Sequence, residues 1–268
     1  MAGKVSLSLI LTLLIVINSI STASADQPQI AILIYHHILP ASDGKAYAKN
    51  AWVVSEESFE SQMEYLYKNQ YHTVTSDELR AFLYDRKPLP AKSVMITFDD
   101  GYLSNYMFAY PILKKFGFKA VLFAITGSIQ TKDQDYHPDQ LDMLSWIQVA
   151  ASKDVFEYAS HTDALHNPGP DGRTGFLSAS LDQAQADFLR SQKRIQNRKL
   201  FAYPSGQYNT KLVGMLKNNG VDLAFTINKG YVNQTSDPMI LNRVTVFAAF
   251  DLKTFESVVT CNYKYNAT

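Results

Sequence analysis

The chain is 268 residues long and carries 25 Lys and Arg against 25 Asp and Glu, so its formal net charge is zero. A neutral chain without a basic stripe is not built to hold nucleic acid, and the single cysteine, Cys261, excludes an internal disulfide. The 16 tyrosines and two tryptophans hint at carbohydrate, whose rings stack on aromatic faces, but a tyrosine-rich core and surface explains the count at least as well.

The N-terminal segment has the layout of a secretory signal peptide. Lys4 supplies a positive start, 5–17 is a short apolar run, and Ala23-Ser24-Ala25 is a small-x-small cleavage site. The run is too short and too weakly apolar for a good membrane span, although an uncleaved anchor is the competing reading. No cysteine lies near the cleavage site, and an exported chain without disulfides fits a bacterial envelope or secreted protein. The expectation is a signal peptide over 1–25 and one domain over 26–268, exported to the periplasm, the cell envelope or the exterior. The roughly 240 residues that remain are ample for one large core.

In chain order, short β-branched and aromatic runs predict strands over 30–35, 72–74, 93–98, 120–125, 156–160, 200–203, 223–226 and 242–246. Helical patterns lie between them. Residues 58–68 carry Phe59, Met63 and Leu66 on one face, and 77–84 follow a Thr75-x-x-Glu78 capping box. Further helices are expected over 106–116, 144–152, 181–197, 210–219 and 252–261, with polar loops over 130–140 and 167–175. This rhythm predicts an α/β fold with parallel strands and helices outside, and about eight strands predict a barrel.

The chemistry-bearing residues cluster at the C-terminal ends of the predicted strands, where α/β barrels build their sites. The apolar run 93–98 leads directly into Asp99-Asp100-Gly101. Two adjacent carboxylates there are costly to bury and raise each other's pKa; the plainer reading is an Asp-Gly turn. The run 156–160 leads into His161, with His166 five residues on. On a regular helix such a pair points about 140° apart, so it converges only in a turn or a distorted helix; two unrelated surface histidines are the plainer reading. His36-His37 follow the first strand and Pro204-Ser205-Gly206 the sixth. One carboxylate and two imidazoles leave open coordination positions on a metal, as hydrolysis requires, and free the second carboxylate to act as a base.

Taken together, Thr97-Phe98-Asp99-Asp100-Gly101, Ser160-His161-Thr162 with its second histidine, and the run from Phe201 to Asn209 resemble the polysaccharide deacetylases of carbohydrate esterase family 4. The likeness spans nearly the whole chain after residue 25. The early Ile32-Leu33-Ile34-Tyr35-His36-His37-Ile38 and the five-residue histidine spacing look like the branch that deacetylates the biofilm polymer poly-β-1,6-N-acetylglucosamine. The resemblance implies a distorted (β/α) barrel of about seven to eight parallel strands in a single domain. It implies Asp99 as catalytic base, and Asp100, His161 and His166 as ligands of one divalent metal. It also implies that the Ser205 backbone N–H helps hold the oxyanion, and that Trp146 walls the acetyl pocket, although Trp146 reads equally well as a helix-face core residue.

Two departures from the family pattern stand out. Ala202 occupies the position of an arginine that pairs with the base in many members, and no histidine follows His166 to serve as the usual late acid. The biofilm-type branch places its acid on the first strand, which His36 matches; His37 reads as a supporting or structural residue, on the opposite face if the strand continues. Arg243 is the candidate to orient Asp99, with a plain barrel-end salt bridge as the alternative. The implied activity is hydrolysis of N-acetyl groups on an N-acetylglucosamine polysaccharide, releasing acetate. Zinc suits the ligand set, as do cobalt, nickel, iron and manganese. The implied partners are the N-acetylated polysaccharide and envelope synthesis or export proteins, with the chain itself a monomer. Peptidoglycan or chitin-oligomer deacetylation, O-acetyl ester hydrolysis and a non-catalytic polysaccharide-binding module remain open alternatives.

Overall fold

The computed structural model describes residues 28–43, 47 and 49–265, and the signal-peptide expectation for 1–25 lies outside them. In chain order the elements are β1 (Ala31–Tyr35), β2 (His37–Leu39), β3 (Val53–Ser55), α1 (Glu56–Lys68), β4 (His72–Thr73), α2 (Ser76–Tyr84) and β5 (Ser93–Asp100). A π-helical turn (Asn105–Ala109) then runs into α3 (Tyr110–Phe116), followed by β6 (Ala120–Ala124), α4 (Trp146–Ala151), β7 (Phe156–Ser160), α5 (Gly175–Ser178), α6 (Leu181–Ile195) and β8 (Leu200–Ala202). A 3-10 turn (Pro204–Gly206), α7 (Thr210–Asn218), β9 (Leu223–Phe225), β10 (Val244–Thr245) and α8 (Leu252–Val259) complete the order.

Side-chain alternation along the strands sorts the apolar residues into two layers. Ile32, Met95, Val121, Phe123, Ala202, Leu223 and Phe225 fill the inside of the curled sheet. Leu33, Tyr35, Val94, Ile96, Phe98 and Leu122 face outward and are covered together with Phe59, Met63 and Leu66 of α1, Leu113 of α3 and Phe255 of α8. The helices start where short polar side chains can accept orphan amides: Ser55, Thr75, Ser145, Ser180, Asn209 and Asp251 each cap the N-terminus that follows. The Thr75–Glu78 capping box is present in full.

All ladders in the main sheet are parallel, in the order β10-β1-β5-β6-β7-β8-β9. β4 pairs with the start of β5, on the edge that β6 takes up further along. β9 and β10 share no ladder. Leu241 bridges to Phe225, while Val244 and Thr245 pair with β1. A five-residue segment therefore spans the gap, which makes this a distorted (β/α) barrel in a single domain.

The eight expected strands are present, with two differences that bear on the site. β5 does not stop at Phe98 but continues through Asp99 and Asp100, paired to Phe123 and Ala124 of β6. The chain after β1 breaks at His36 and resumes as β2, which forms a separate parallel pair with β3 (His37 with Val53, Leu39 with Ser55). The helix expected from residue 106 opens instead as a π turn, and the expected loop over 167–175 runs into the short α5.

Candidate active site

Thr97 and Asp99 share the inner face of β5, two residues apart, and Arg243 meets both. Its Nη1 donates to Asp99 Oδ1 at 2.8 Å and to Thr97 Oγ1 at 3.1 Å, its Nη2 donates to Asp99 Oδ2 at 2.7 Å, and its Nε donates to the Thr226 carbonyl at 2.8 Å. The guanidinium is fully buried, lying over the rings of Phe123 and Phe225. Burial by itself would push the Asp99 carboxyl up, but Arg243, with His161 and His36, outweighs it and brings the carboxyl down to about 2. Asp99 is therefore a carboxylate at any working pH.

On a regular strand Asp100 would face away from Asp99. Its φ of 76°, followed by 93° at Gly101, turns the chain so that both carboxylates reach one cavity. A left-handed φ is costly for a non-glycine residue, and Thr162 (76°) and Ser205 (50°) share it. These three strained positions all flank the cavity.

β7 delivers His161, and the following loop returns His166, so the pair converges through a turn. His161 Nδ1 faces the Ala202 carbonyl at 2.8 Å, which makes Nδ1 the donor and leaves Nε2 with its lone pair. Burial holds the His161 imidazole down to about 4, so it is neutral. Asp187 of α6 supports the loop: its two oxygens accept from the Asp163 and Ala164 N–H groups, both at 2.8 Å. Thr126 Oγ1 donates to Asp163, and a Cβ at Gly127 would run into the Asp163 carbonyl.

Asp100 Oδ1 lies 3.6 Å from His161 Nε2 and 3.3 Å from His166 Nε2. It is buried and has no hydrogen-bond partner among the described residues. The three ligand atoms lie within 4.8 Å of one another, the one such cluster among the described residues. His161 Nε2 and Asp100 Oδ1 can only accept, and two acceptors aimed at each other repel unless they share a cation. This donor set of two imidazoles and a carboxylate fits a divalent ion of the zinc type.

These groups line one cavity of about 310 Å³ together with His36, His37, Asn50, Trp52, Tyr102, Leu141, Ser205 and Ile227. His36 has its Nδ1 buried without a partner among the described residues, and its ring lies 4.6 Å from that of Trp52. His37 also lines the cavity, because the break at residue 36 cancels the alternation that would have sent it elsewhere. Its Nδ1 pairs with Ser104 Oγ at 2.6 Å, it stacks on Tyr102, and burial lowers its imidazole to about 4. Ser205 is exposed on the 3-10 turn after β8.

Trp146 is the exception among the expected residues. It opens α4 and packs against the outer core, away from the cavity lining. Leu141, five residues earlier, lines the cavity from that segment, and the tryptophan at the site is Trp52. Trp52, Tyr102 and Asn50 were not anticipated. Tyr102 stands next to Asp100-Gly101, which is a signal; Trp52 and Asn50 carry none, because β3 was not foreseen.

Residues 86–224 match the family described as polysaccharide deacetylase. The Bacillus subtilis (strain 168) protein YxkH, assigned by name to the polysaccharide deacetylases, is 32% identical over 224 residues, covering 81% of this chain and 71% of that one. The poly-beta-1,6-N-acetyl-D-glucosamine N-deacetylase of Staphylococcus aureus is 30% identical over 202 residues, covering 72% of this chain and 67% of that one. Among solved structures, the Streptococcus pyogenes deacetylase PplD in complex with acetate superposes with a TM-score of 0.75 at 24% identity, covering 87% of this chain and 99% of that one.

Proposed function

The chain belongs to the polysaccharide deacetylase family, and from that premise we propose that it removes N-acetyl groups from an N-acetylglucosamine polysaccharide, releasing acetate. The observation that carries the reading is the juxtaposition of an arginine-held carboxylate, Asp99, with the lone-pair cluster of Asp100, His161 and His166. The likeness to the staphylococcal enzyme supports a β-1,6-linked substrate. The signal-peptide pattern of residues 1–25 supports action outside the cytoplasm.

Asp100, His161 and His166 would hold one divalent ion, zinc or one of cobalt, nickel, iron and manganese. Bound there, the ion would supply Lewis acidity toward the acetyl carbonyl and toward water. The remaining steps fall to the chain's own groups. As water attacks the carbonyl carbon, Asp99 accepts its proton. A carboxylate held at about 2 is a weak base, so this transfer depends on the water having been made more acidic. The Ser205 N–H donates to the carbonyl oxygen as negative charge builds on it. His36 gives a proton to the nitrogen as the C–N bond breaks, so the neutral glucosamine amine leaves with acetic acid, whose proton then passes to the amine or to solvent, and the proton on Asp99 returns to His36 through solvent. Strain at Asp100, Thr162 and Ser205 fixes these groups before substrate arrives.

The test is to load the protein with zinc, incubate it with N-acetylglucosamine oligomers of β-1,6 and β-1,4 linkage, and measure released acetate and free amine. Release from the β-1,6 series, abolished in His161→Ala/His166→Ala together with metal binding, is expected. No acetate from either series, or full metal occupancy in that double variant, would overturn the reading.

A further inference from the structure

The cavity that holds the reacting groups is small. At about 310 Å³ it sits at the lower end of ligand pockets. It has room for one sugar unit and its acetyl group, so the neighbouring rings of a polymer must lie on the rim. Three large apolar residues on that rim are exposed: Trp52 at 37%, Leu141 and Ile227. Of these only Trp52 offers a flat aromatic face.

The position of Trp52 is built. Its ring packs 4.6 Å from that of His36 and edge-on to Phe247, 5.4 Å away, and Phe247 is backed by Phe250 at 5.7 Å. The Trp52 N–H donates to Asn50 Oδ1 at 3.0 Å. The Ala248 N–H donates to the Ala51 carbonyl at 2.9 Å, tying the loop after β10 to the turn before β3. An exposed tryptophan held against two neighbouring rings loses little freedom when it binds, and a ring that stays partly in water has unused apolar area to offer. Asn50, also on the cavity wall, adds a polar group for hydroxyls beside it.

We propose that Trp52, braced by Phe247, is a stacking platform for the pyranose ring next to the unit being deacetylated. The platform makes the enzyme prefer chains over single sugars. The inference rests on the polysaccharide reading above, and it assigns to the β2–β3 insertion the role of gripping the polymer.

The protein has two tryptophans, and Trp146 lies off the cavity, so fluorescence can isolate the platform. Metal-loaded Trp146→Phe is titrated with the β-1,6 N-acetylglucosamine pentamer, with the initial Trp52 emission read alongside calorimetric binding. Trp52 emission should shift along the same saturation curve as the heat, whereas in Trp52→Phe the Trp146 emission should not move. In kinetics, Trp52→Ala should raise KM for the pentamer about tenfold while kcat changes less than about threefold. Trp52→Phe should recover most of that KM. Pentamer binding by calorimetry with a silent Trp52 would overturn the platform and leave the polysaccharide reading standing. So would a fall of kcat on the pentamer, with KM unchanged, that is much larger than the fall on an activated aryl acetate, since Trp52 would then act through His36. Absence of pentamer binding to the wild-type protein would overturn the polysaccharide reading, and the platform with it.

Discussion

The amide nitrogen is where this chemistry is hardest. An amine leaves only if it is protonated, and the described structure places two imidazoles on the cavity wall that are candidates for the task, His36 and His37. His37 is buried, anchored to Ser104 and stacked on Tyr102, and burial lowers its imidazole to about 4, all of which suit a neutral supporting ring. His36 is the freer of the two. His36→Ala should leave zinc binding intact and cut hydrolysis of N-acetyl oligomers by on the order of 10² to 10³, while an activated aryl acetate loses much less. Equal losses on both substrates, measured as kcat/KM, would reassign His36 to binding or structure. The buried imidazoles also predict how the metal-free protein responds to acid. His161 and His37 titrate near 4 in the fold against 6.5 when free. Between those values the unfolded chain binds protons that the folded chain refuses. Stability is therefore fully present above about pH 6.5 and falls as pH drops toward 4, by on the order of 3 kcal/mol per imidazole. Urea midpoints of the metal-free protein at pH 7.5, 5.5 and 4.5 should decline in that order, and a flat series would mean that neither ring is held neutral.

At the scale of elements, α6 does more than cover the sheet. Asp187 projects from it to accept both N–H groups at the bend between His161 and His166, so the helix sets how the second ligand returns to the first. Asp187→Ala should lower zinc affinity ten- to a hundredfold, the usual cost of losing a group that orients metal ligands. Asp187→Asn, which keeps one acceptor, should lose less. Unchanged affinity by calorimetry in a folded Ala variant would mean that the loop holds its shape alone. The elements legible in the sequence were those with clear apolar runs or periodicity: the eight strands of the main sheet, and α1 and α2, the latter behind its Thr75 cap. What escaped was local. β2 and β3 are three residues each and stabilised only by pairing across a loop, which no short-range pattern records. The strand over 93–98 was expected to end before Asp99 and Asp100, because carboxylates disfavour strands, yet β6 pairs with both. Of the two readings left open for Trp146, the structure favours the core one: a tryptophan opening an amphipathic helix looks the same in sequence whether it faces a cavity or a core.

Across the whole molecule, the seam between β9 and β10 and the proposed base are joined by one side chain. β9 and β10 share no ladder, and the segment before β10 meets β9 through the Phe225–Leu241 bridge, with Leu241 N–H donating to the Ala224 carbonyl and Thr226 N–H to the Leu241 carbonyl. Arg243, between that bridge and β10, reaches across the interior to the Thr226 carbonyl beyond β9 and to Thr97 and Asp99 on β5. The guanidinium is fully buried and Asp99 nearly so, so neither charge tolerates loss of the other. Arg243→Met should destabilise the protein by about 3–5 kcal/mol, because it strands a carboxylate in a low-dielectric interior. For a domain of this size that corresponds to a Tm lowered by roughly 6–20 °C. Asp99→Leu/Arg243→Met, which removes both charges, should recover much of that stability while remaining inactive. Melting curves and acetate release on the three proteins separate the two roles. If the double variant were as unstable as the single one, the hydrogen bonds to Thr226 and Thr97, rather than the ion pair, would be what closes the seam. If Arg243→Met kept near-normal turnover, Asp99 would not depend on its arginine for charge or orientation, and the assignment of the pair as held base and holder would fail.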